Sequence, residues 1–322
     1  MDGRGHSLWA DAWRRIAGNW LAMASLCILV LFAAAALYGS LVYWRYNILD
    51  AAAPRWAVPA QKAGAWILRA GAVRDKEPGY QRQDLKQRYQ APSLHHPMGT
   101  DGLGRDVAQR VLQGCRIAFQ VGVITSLIAI VLGVILGCMA GYFGGWVDDL
   151  IVWLYSTFAC MPTLLFIIAI AMVAGRGLQG VYLGIGLTTW VGLCRLMRGE
   201  VLKHKQLAYV RSARALGAGP FRIMFRHILP NLAHLIIINF SLRFPSAVQT
   251  EVIMSFLGIG VQDEPSWGIM ISNARLRLWE GVWWELTFST LAILLVVLAF
   301  NLLGDALRDA LDPRLRTQGD GS

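Results

Sequence analysis

Apolar positions lie in long, uninterrupted runs along the chain, and polar stretches separate one run from the next. The runs occupy residues 20–44, 117–140, 150–173, 181–196, 232–257 and 286–303. Each is near the roughly 20 residues that an α-helix needs to cross the hydrocarbon core of a bilayer, the fourth being the shortest. The pattern therefore predicts an all-α, polytopic membrane protein with about six transmembrane helices.

The distribution of positive charge predicts how these helices are oriented. Arg14 and Arg15 precede the first run, and residues 195–230 carry eight Lys and Arg against a single acid, Glu200. Basic residues usually retain short loops on the cytoplasmic side, whereas long loops cross largely regardless of charge. Both termini are therefore predicted to be cytoplasmic. The predicted parts are a cytoplasmic segment (1–19), a first transmembrane helix (20–44), an external segment (45–116), a transmembrane core (117–307) with a cytoplasmic loop (197–231), and a cytoplasmic tail (308–322).

The composition agrees with a membrane protein and narrows the function. The chain of 322 residues is 56% hydrophobic and 16% charged, with a mean hydropathy of +0.46. Its net charge of +10 does not favour nucleic acid as a partner, because the basic residues lie between apolar runs. The five cysteines lack Cys-x-x-Cys spacing, and the adjacent His95 and His96 lack further ligands at metal spacing. We expect no catalytic centre, metal site or directly bound cofactor.

The basic loop at 197–231 contains the pattern of two short amphipathic helices. Four apolar residues recur near helical spacing in its first half: Leu207, Val210, Ala213 and Leu216. They predict a short helix, and Gly217 suits its C-terminal end. A second helix is predicted to begin at Pro220 and to end at Pro230. Its apolar stripe, opposite Arg222 and Arg226, consists of Phe221, Met224, Phe225 and Ile228.

This helix, break and helix can be read in two ways. An amphipathic helix can lie on anionic lipid headgroups. Alternatively, it can dock in a groove of another protein. The break falls at a defined Gly-x-Gly-Pro sequence, and the first helix is rich in small residues such as Ala208, Ala213 and Ala215. Both features favour a docking site.

The sequence of this loop resembles a known motif. YVRSARALGAGPFRIMFRHILPN, at 209–231, is similar to the cytoplasmic loop of permease subunits of binding-protein-dependent ABC importers. Gly217 takes the place of the signature glycine, and Leu229 and Pro230 that of the Leu-Pro pair. The general motif begins Glu-Ala-Ala, whereas this chain begins it with Arg211, which is similar to the peptide-importer branch.

Three further stretches carry the same resemblance, in the same order along the chain. They are HPMGTDGLGRDVAQRVLQGCRIAFQVGV at 95–123, SFLGIGVQDEPSWGIMI at 255–271 and GDALRDALDPRLR at 304–316. They are similar to one of the two permeases of dipeptide, oligopeptide and nickel importers. The glycines Gly99, Gly102 and Gly104 are not a phosphate-binding loop, because no strand precedes them and no Lys-Ser/Thr follows. We expect them to form a tight turn before an amphipathic helix.

The resemblance implies an architecture and a set of partners. It implies the type I ABC importer permease fold in the bacterial cytoplasmic (inner) membrane, and a heterodimer with a second permease. Two cytoplasmic ATP-binding subunits would hold the ATP and Mg, and an external solute-binding protein would deliver the solute. The residues expected to couple to the ATPases are Leu207, Tyr209, Val210, Arg211, Ala213, Arg214, Ala215, Leu216 and Gly217.

The solute stays open at this point. Peptides are expected, but nickel, glutathione and peptide-antibiotic importers share these motifs. A stand-alone secondary transporter is the alternative from another class. Such a protein is expected to show more buried acids along several spans or paired broken helices.

Two charged residues lie inside the fifth apolar run. Arg243 and Glu251 are eight positions apart, which places them on similar faces of a helix, and Pro245 is expected to break that helix near Arg243. A charge in hydrocarbon is costly unless it faces water or a partner. We predict that both face the translocation path or the partner permease. An internal ion pair or an interface contact without a role in transport is the alternative.

Overall fold

The computed structural model describes residues 8–49 and 78–311, and within those ranges the backbone is helical apart from turns, loops and one isolated β-bridge. The remainder of the external segment, residues 50–77, and the tail from residue 312 onward lie outside the described residues, as does part of the motif at 304–316. The helices are α1 (Leu8–Gly18), α2 (Trp20–Tyr43), α3 (Val107–Phe143), α4 (Gly145–Ala159), α5 (Thr163–Ala174), α6 (Leu178–Thr188), α7 (Val191–His204), α8 (Ala208–Ala215), α9 (Ala233–Phe256), α10 (Trp267–Ala274) and α11 (Trp284–Leu311).

The transmembrane helices agree in number with the apolar runs. Five helical stretches are long and apolar enough to cross a membrane: Trp20–Tyr46, Val107–Phe143, Leu178–His204, Pro220–Phe256 and Trp284–Ala310. Together, α4 and α5 form a sixth candidate, but the pair is bent by 96°. The all-α prediction with about six spans is thus confirmed.

The run at 150–173 is not the continuous helix that its hydropathy predicts. The chain bends between Ala159 and Thr163, and Pro162 adopts an extended backbone (φ −57°, ψ 117°) before the first residue of α5. Proline lacks the N–H group that would continue the hydrogen bonds of α4, but it is well tolerated at the start of a helix. The predicted third span is therefore two helices that meet at a sharp corner.

Two prolines have smaller effects than their sequence context predicts. From Pro220 the backbone stays helical through a π-helical stretch, Ile223–Ile228, and a 3₁₀ turn, Leu229–Leu232, into α9. Pro230 lies in the first positions of that 3₁₀ turn, where its missing N–H costs little. The prediction that Pro230 ends the helix is wrong.

Pro245 lies inside α9 and does not break it, contrary to expectation. A proline in a helix interior costs about 3 kcal/mol, and packing of its neighbourhood can offset this. Phe244 is fully buried and stacks on Phe300 with ring centroids 3.9 Å apart. Gly122 gives that ring its space, since a Cβ there would lie 2.5 Å from the Phe244 ring.

The described residues group into two compact units. The first consists of the chain up to residue 30, residues 120–263 and the chain from residue 293 onward, and the second of residues 31–119 and 264–292. In the first unit, α3 lies very close to α7 along three glycines four residues apart. A Cβ on Gly137 would lie 2.6 Å from the carbonyl oxygen of Cys194, and one on Gly141 would lie 2.7 Å from that of Arg198. The absence of side chains at these positions is what lets the two backbones approach.

The second unit contains the predicted glycine turn. Gly99 and Gly104 both have φ +73°, and a Cβ on Gly104 would collide with the carbonyl of Asp84. Asp106 then accepts a hydrogen bond from the Gln109 N–H at 3.1 Å and so caps the start of α3. The expected tight turn followed by a helix is confirmed.

Candidate coupling site

The helix α8 is anchored to the protein by two side chains. Val210 is fully buried and Ala213 is 8% exposed, and both belong to a core that includes residues of α3 and α7. Ile223, Met224 and Ile228, from the helical stretch after α8, belong to the same core. A displacement of α8 therefore acts directly on the helices to either side of it in the sequence.

The other face of α8 is open. Arg211, Ser212, Arg214 and Ala215 are exposed, as are Leu207 (46%) and Leu216 (88%). The predicted apolar face of four residues is therefore only half buried. Leu207 precedes the first helical residue and Leu216 follows the last, so neither is held over the core.

The end of α8 is built around Gly217, as the sequence predicts. This residue has φ +82°. Its N–H donates to the Arg214 carbonyl and the Ala218 N–H donates to the Ala213 carbonyl, both at 3.0 Å. These two hydrogen bonds form a Schellman motif, which requires a left-handed residue at the position of Gly217. The motif fixes the direction in which the chain leaves the helix.

Tyr209 links α8 to the end of α7. Its hydroxyl lies 2.7 Å from Nδ1 of His204. Burial raises the pKa of Tyr209 above its ordinary value, and a side-chain hydrogen bond with Asn231 opposes this shift. The phenol therefore stays neutral at physiological pH. Through its contact with His204, Tyr209 holds the start of α8 against the end of α7.

The surface continues into the stretch after α8. Phe221 is 63% exposed and Phe225 is 53% exposed, whereas Met224 and Ile228 are buried. The predicted stripe of four apolar residues is split because the π-helical turn changes the angle between successive side chains. We call the exposed set the α8 surface: Leu207, Arg211, Arg214, Ala215, Leu216, Phe221 and Phe225. It combines positive charge with exposed apolar side chains.

An ion pair supports the same end of the first unit. Arg198 on α7 donates from Nε and Nη2 to the two carboxylate oxygens of Asp148, at 2.5 and 2.6 Å. Asp148 lies in the first turn of α4, where its charge also suits the helix N-terminus. The two residues are fifty positions apart, so no local pattern in the sequence could have paired them.

We expect Asp148→Asn to lower the stability of the folded chain. The substitution removes a bidentate, charge-assisted pair, which is worth about 1–3 kcal/mol. Thermal unfolding of the purified complex in detergent measures the loss. Asp149→Asn is the matched control, because Asp149 is the adjacent residue and is exposed. Equal unfolding temperatures for the two variants would show that the pair does not contribute.

Arg243 and Glu251 take part in two different hydrogen-bonded groups. Arg243 donates from Nη1 to the backbone carbonyl of Thr189, at the break between α6 and α7. Glu251 is 1% exposed, and its Oε1 accepts a hydrogen bond of 2.6 Å from the Ser255 hydroxyl. The Ser255 oxygen in turn accepts from the Val261 N–H at 3.0 Å, beyond the end of α9. A place for Arg243 and Glu251 on the translocation path or at a permease interface stays a prediction.

Among residues 8–49 and 78–311, no group of three or more His, Cys, Asp or Glu is arranged to hold a metal ion. His96 instead bonds Asp106 and Gln87, at 2.8 and 3.0 Å. The hydrogen bond with Asp106 ties the loop that contains His96 to the residue that caps α3.

Two family models match this chain. Residues 133–317 match the family described as "Binding-protein-dependent transport system inner membrane component". Residues 7–55 match the "N-terminal TM domain of oligopeptide transport permease C". These two regions include α8 and the first transmembrane helix.

Full-length relatives are also similar. The dipeptide transport system permease protein of Bacillus subtilis (strain 168) is 37% identical over 307 residues, which is 95% of this chain and 86% of that protein. The glutathione transport system permease protein of Escherichia coli O6:K15:H31 is 35% identical over 309 residues, covering 96% and 91%. That of Pectobacterium atrosepticum is 38% identical over 235 residues, covering 73% and 78%. The chain therefore belongs to the inner-membrane permeases of binding-protein-dependent ABC importers, in the dipeptide and oligopeptide branch.

Proposed function

We propose that this chain is one of two permeases of an ATP-driven importer that carries peptides or similar small solutes by alternating access. The α8 surface is the observation that supports coupling. It is exposed, it carries Arg211 and Arg214, and it rests on a core formed by the neighbouring helices. A second permease, two ATP-binding subunits and an external solute-binding protein complete the proposed assembly.

The proposed mechanism uses the connections of α8 at both of its ends. Tyr209 joins it to α7, and the Gly217 motif leads into the stretch that continues as α9. When the ATPases close, they push on α8, and the push tilts these two helices and switches the cavity from one side to the other. ATP and Mg bind the partner subunits, because this chain has no phosphate-binding loop.

The orientation follows from the same proposal. The α8 surface and both termini face the cytoplasm, and residues 45–116 face the outside. This orientation agrees with the excess of Lys and Arg at residues 195–230. In this arrangement α8 is accessible only to proteins on the side where ATP is available.

The names of the relatives support peptide-like solutes. One is named as a dipeptide permease and two are named as glutathione permeases, and both named solutes contain peptide bonds. Nickel and peptide antibiotics are the alternative cargoes of the same architecture. A stand-alone secondary transporter is less well supported, because its function would not require an exposed basic helix end.

Leu216→Asp is expected to reduce recovery of the ATPases about tenfold when the tagged chain is purified. Leu216 is the most exposed of the large apolar residues of the α8 surface, and an unpaired carboxylate buried in its place against the ATPase would be costly. Leu94→Asp is the control, because Leu94 is fully exposed in the second unit.

Two results would contradict the proposal. The first is a wild-type chain that recovers no ATPase and whose transport continues after ATP depletion, which would favour a secondary transporter. The second is equal recovery of ATPase with the Leu216 and Leu94 variants. The latter would place the docking contact elsewhere on the chain.

A further inference from the structure

A small polar recess lies inside the first unit, beside Arg243. It has a volume of about 30 Å³. The helices α3 and α9 and the turn after α6 supply its polar lining: Thr125, Ser126, Thr189, Arg243, Ser246 and Thr250. A recess of this size admits one or two small polar groups but not a whole peptide. It is therefore suited to one end of a larger molecule.

The recess offers hydrogen-bond donors and no acidic side chain. Thr125, Thr189 and Thr250 each donate their hydroxyl hydrogen to a backbone carbonyl of their own region. Ser126 is different, since it is 2% exposed and its oxygen has no partner among the described residues. The donors that remain for a ligand are thus the Ser126 and Ser246 hydroxyls and the guanidinium of Arg243, and the positive charge of Arg243 favours an anion.

Arg243 has one donor in use and one buried donor without a partner in the described part of the chain. Its Nη1 caps the Thr189 carbonyl, which the break between α6 and α7 leaves without a helical partner. Its Nε is buried and has no partner in the described part of the chain. Nη2 lies near Gly192, since a Cβ built on that glycine would be 3.7 Å from it. The Nε–Nη2 edge is the pair of parallel donors that binds a carboxylate in a bidentate manner.

A purely structural role explains only part of this arrangement. Capping Thr189 needs a single donor, which a lysine or a glutamine could supply. A buried donor without an acceptor is costly, and an arginine placed only as a cap would leave Nε in that state. A ligand carboxylate satisfies Nε and Nη2 and also neutralises a charge within the apolar core.

We propose that this recess binds the free carboxylate group of the solute as it passes through the permease. The inference rests on the proposed function and narrows it to solutes that carry a carboxylate, as peptides and glutathione do. The bulk of the solute stays in the translocation path while its carboxylate enters the recess. Arg243 is then a residue that determines specificity.

The test uses the complete importer with its binding protein in proteoliposomes. ATP-dependent uptake is measured for one dipeptide with a free C-terminal carboxylate and for the same dipeptide with a C-terminal amide. The uptake by each variant is divided by the wild-type uptake of the same dipeptide. Because the binding protein is the same throughout, its own preference between the two dipeptides cancels.

The informative variant is Arg243→Gln. Glutamine can still donate to the Thr189 carbonyl but has neither the charge nor the second donor. We expect uptake of the free acid to fall about tenfold relative to wild type, and uptake of the amide to change less than about twofold. Ser126→Ala is also expected to lower uptake of the free acid more than that of the amide, by a smaller factor. It replaces Arg243→Gln as the test if that variant does not assemble.

The control for charge alone is Arg176→Gln, since Arg176 is exposed in the connection between α5 and α6. This substitution should not lower the uptake of either dipeptide. Equal losses for acid and amide in the Arg243 variant would show a structural cap or a bound water, and no loss would place the recess outside the path. Either result overturns the inference while wild-type uptake stands. Absence of ATP-dependent uptake of both dipeptides by wild type would instead refute the proposed function.

Discussion

Replacing Gly217 with valine is expected to abolish ATP-coupled transport while the transmembrane helices remain inserted. Gly217 has φ +82°, and a Cβ there would meet no heavy atom within 4 Å. The effect therefore comes from the backbone and not from a collision. A left-handed conformation costs an ordinary L-residue about 1–2 kcal/mol, and a β-branched residue more.

The chain can relieve that strain only by changing the turn after α8. Such a change breaks the hydrogen bonds from Gly217 to Arg214 and from Ala218 to Ala213, and it redirects Phe221 relative to Leu216. An α8 surface with this altered shape no longer fits the ATPases, so their recovery should fall together with transport. Membrane fractionation and co-purification measure the two effects separately.

Gly217→Asn provides the control for this prediction. Asparagine adds a side chain of similar bulk but tolerates the left-handed region far better than valine. It should retain most of the transport and most of the associated ATPase. Equal losses for valine and asparagine would show that the side chain itself obstructs docking, and that the backbone conformation of Gly217 is not the cause.

The sequence predicted the positions of the helices more accurately than their bends. Apolar runs report a need for burial in lipid, so they locate spans such as α2 and α11. Whether a proline bends a helix depends on the cost of its missing backbone hydrogen bond relative to the stabilisation from packing around it. Pro162 breaks a helix, whereas Pro245 stays inside one because Phe244 beside it packs against Gly122 and Phe300. Hydropathy alone cannot predict this difference, because it does not report how the residues beside each proline pack.

The candidate site shows the same division between local and distant causes. The end of α8 at Gly217 was predictable, because a Schellman turn depends on residues close in sequence. The exposure of Leu207 and Leu216 was not, since it depends on where the helix begins and ends above the core. The contact between Arg243 and the Thr189 carbonyl joins a side chain to backbone across 54 positions, and backbone groups leave no pattern in a sequence.

One feature of the packing was visible in the sequence as spacing. Gly133, Gly137 and Gly141 recur every four residues, which places them in a row along one face of α3. Small residues at this spacing are typical of closely packed membrane helices. Only the structure shows that α7 occupies this face, because four other predicted spans could have supplied the contact.

Gly137→Leu is expected to prevent α3 from packing on α7 and so to lower the amount of folded permease severely. A Cβ at this position would lie 2.6 Å from the Cys194 carbonyl oxygen and 2.7 Å from the Met197 Cβ. Both neighbours are held by a helix, so the helices themselves must separate. Overpacking typically costs about 1–3 kcal/mol, and more when the backbone must move. Even Gly137→Ala should therefore be measurably destabilising.

The control must add the same side chain to a glycine of the same region. Gly199→Leu does so on α7, where a Cβ would meet no heavy atom within 4 Å. Thermal unfolding in detergent should place Gly199→Leu at or above wild type, because leucine has a higher helix propensity than glycine. Gly137→Ala should unfold below wild type and Gly137→Leu lower still. If leucine at both positions lowers the unfolding temperature equally, the loss comes from adding a large side chain and not from the contact between α3 and α7. The graded loss at Gly137 alone would show that a backbone contact holds α3 on α7, the helix whose far end Tyr209 ties to α8.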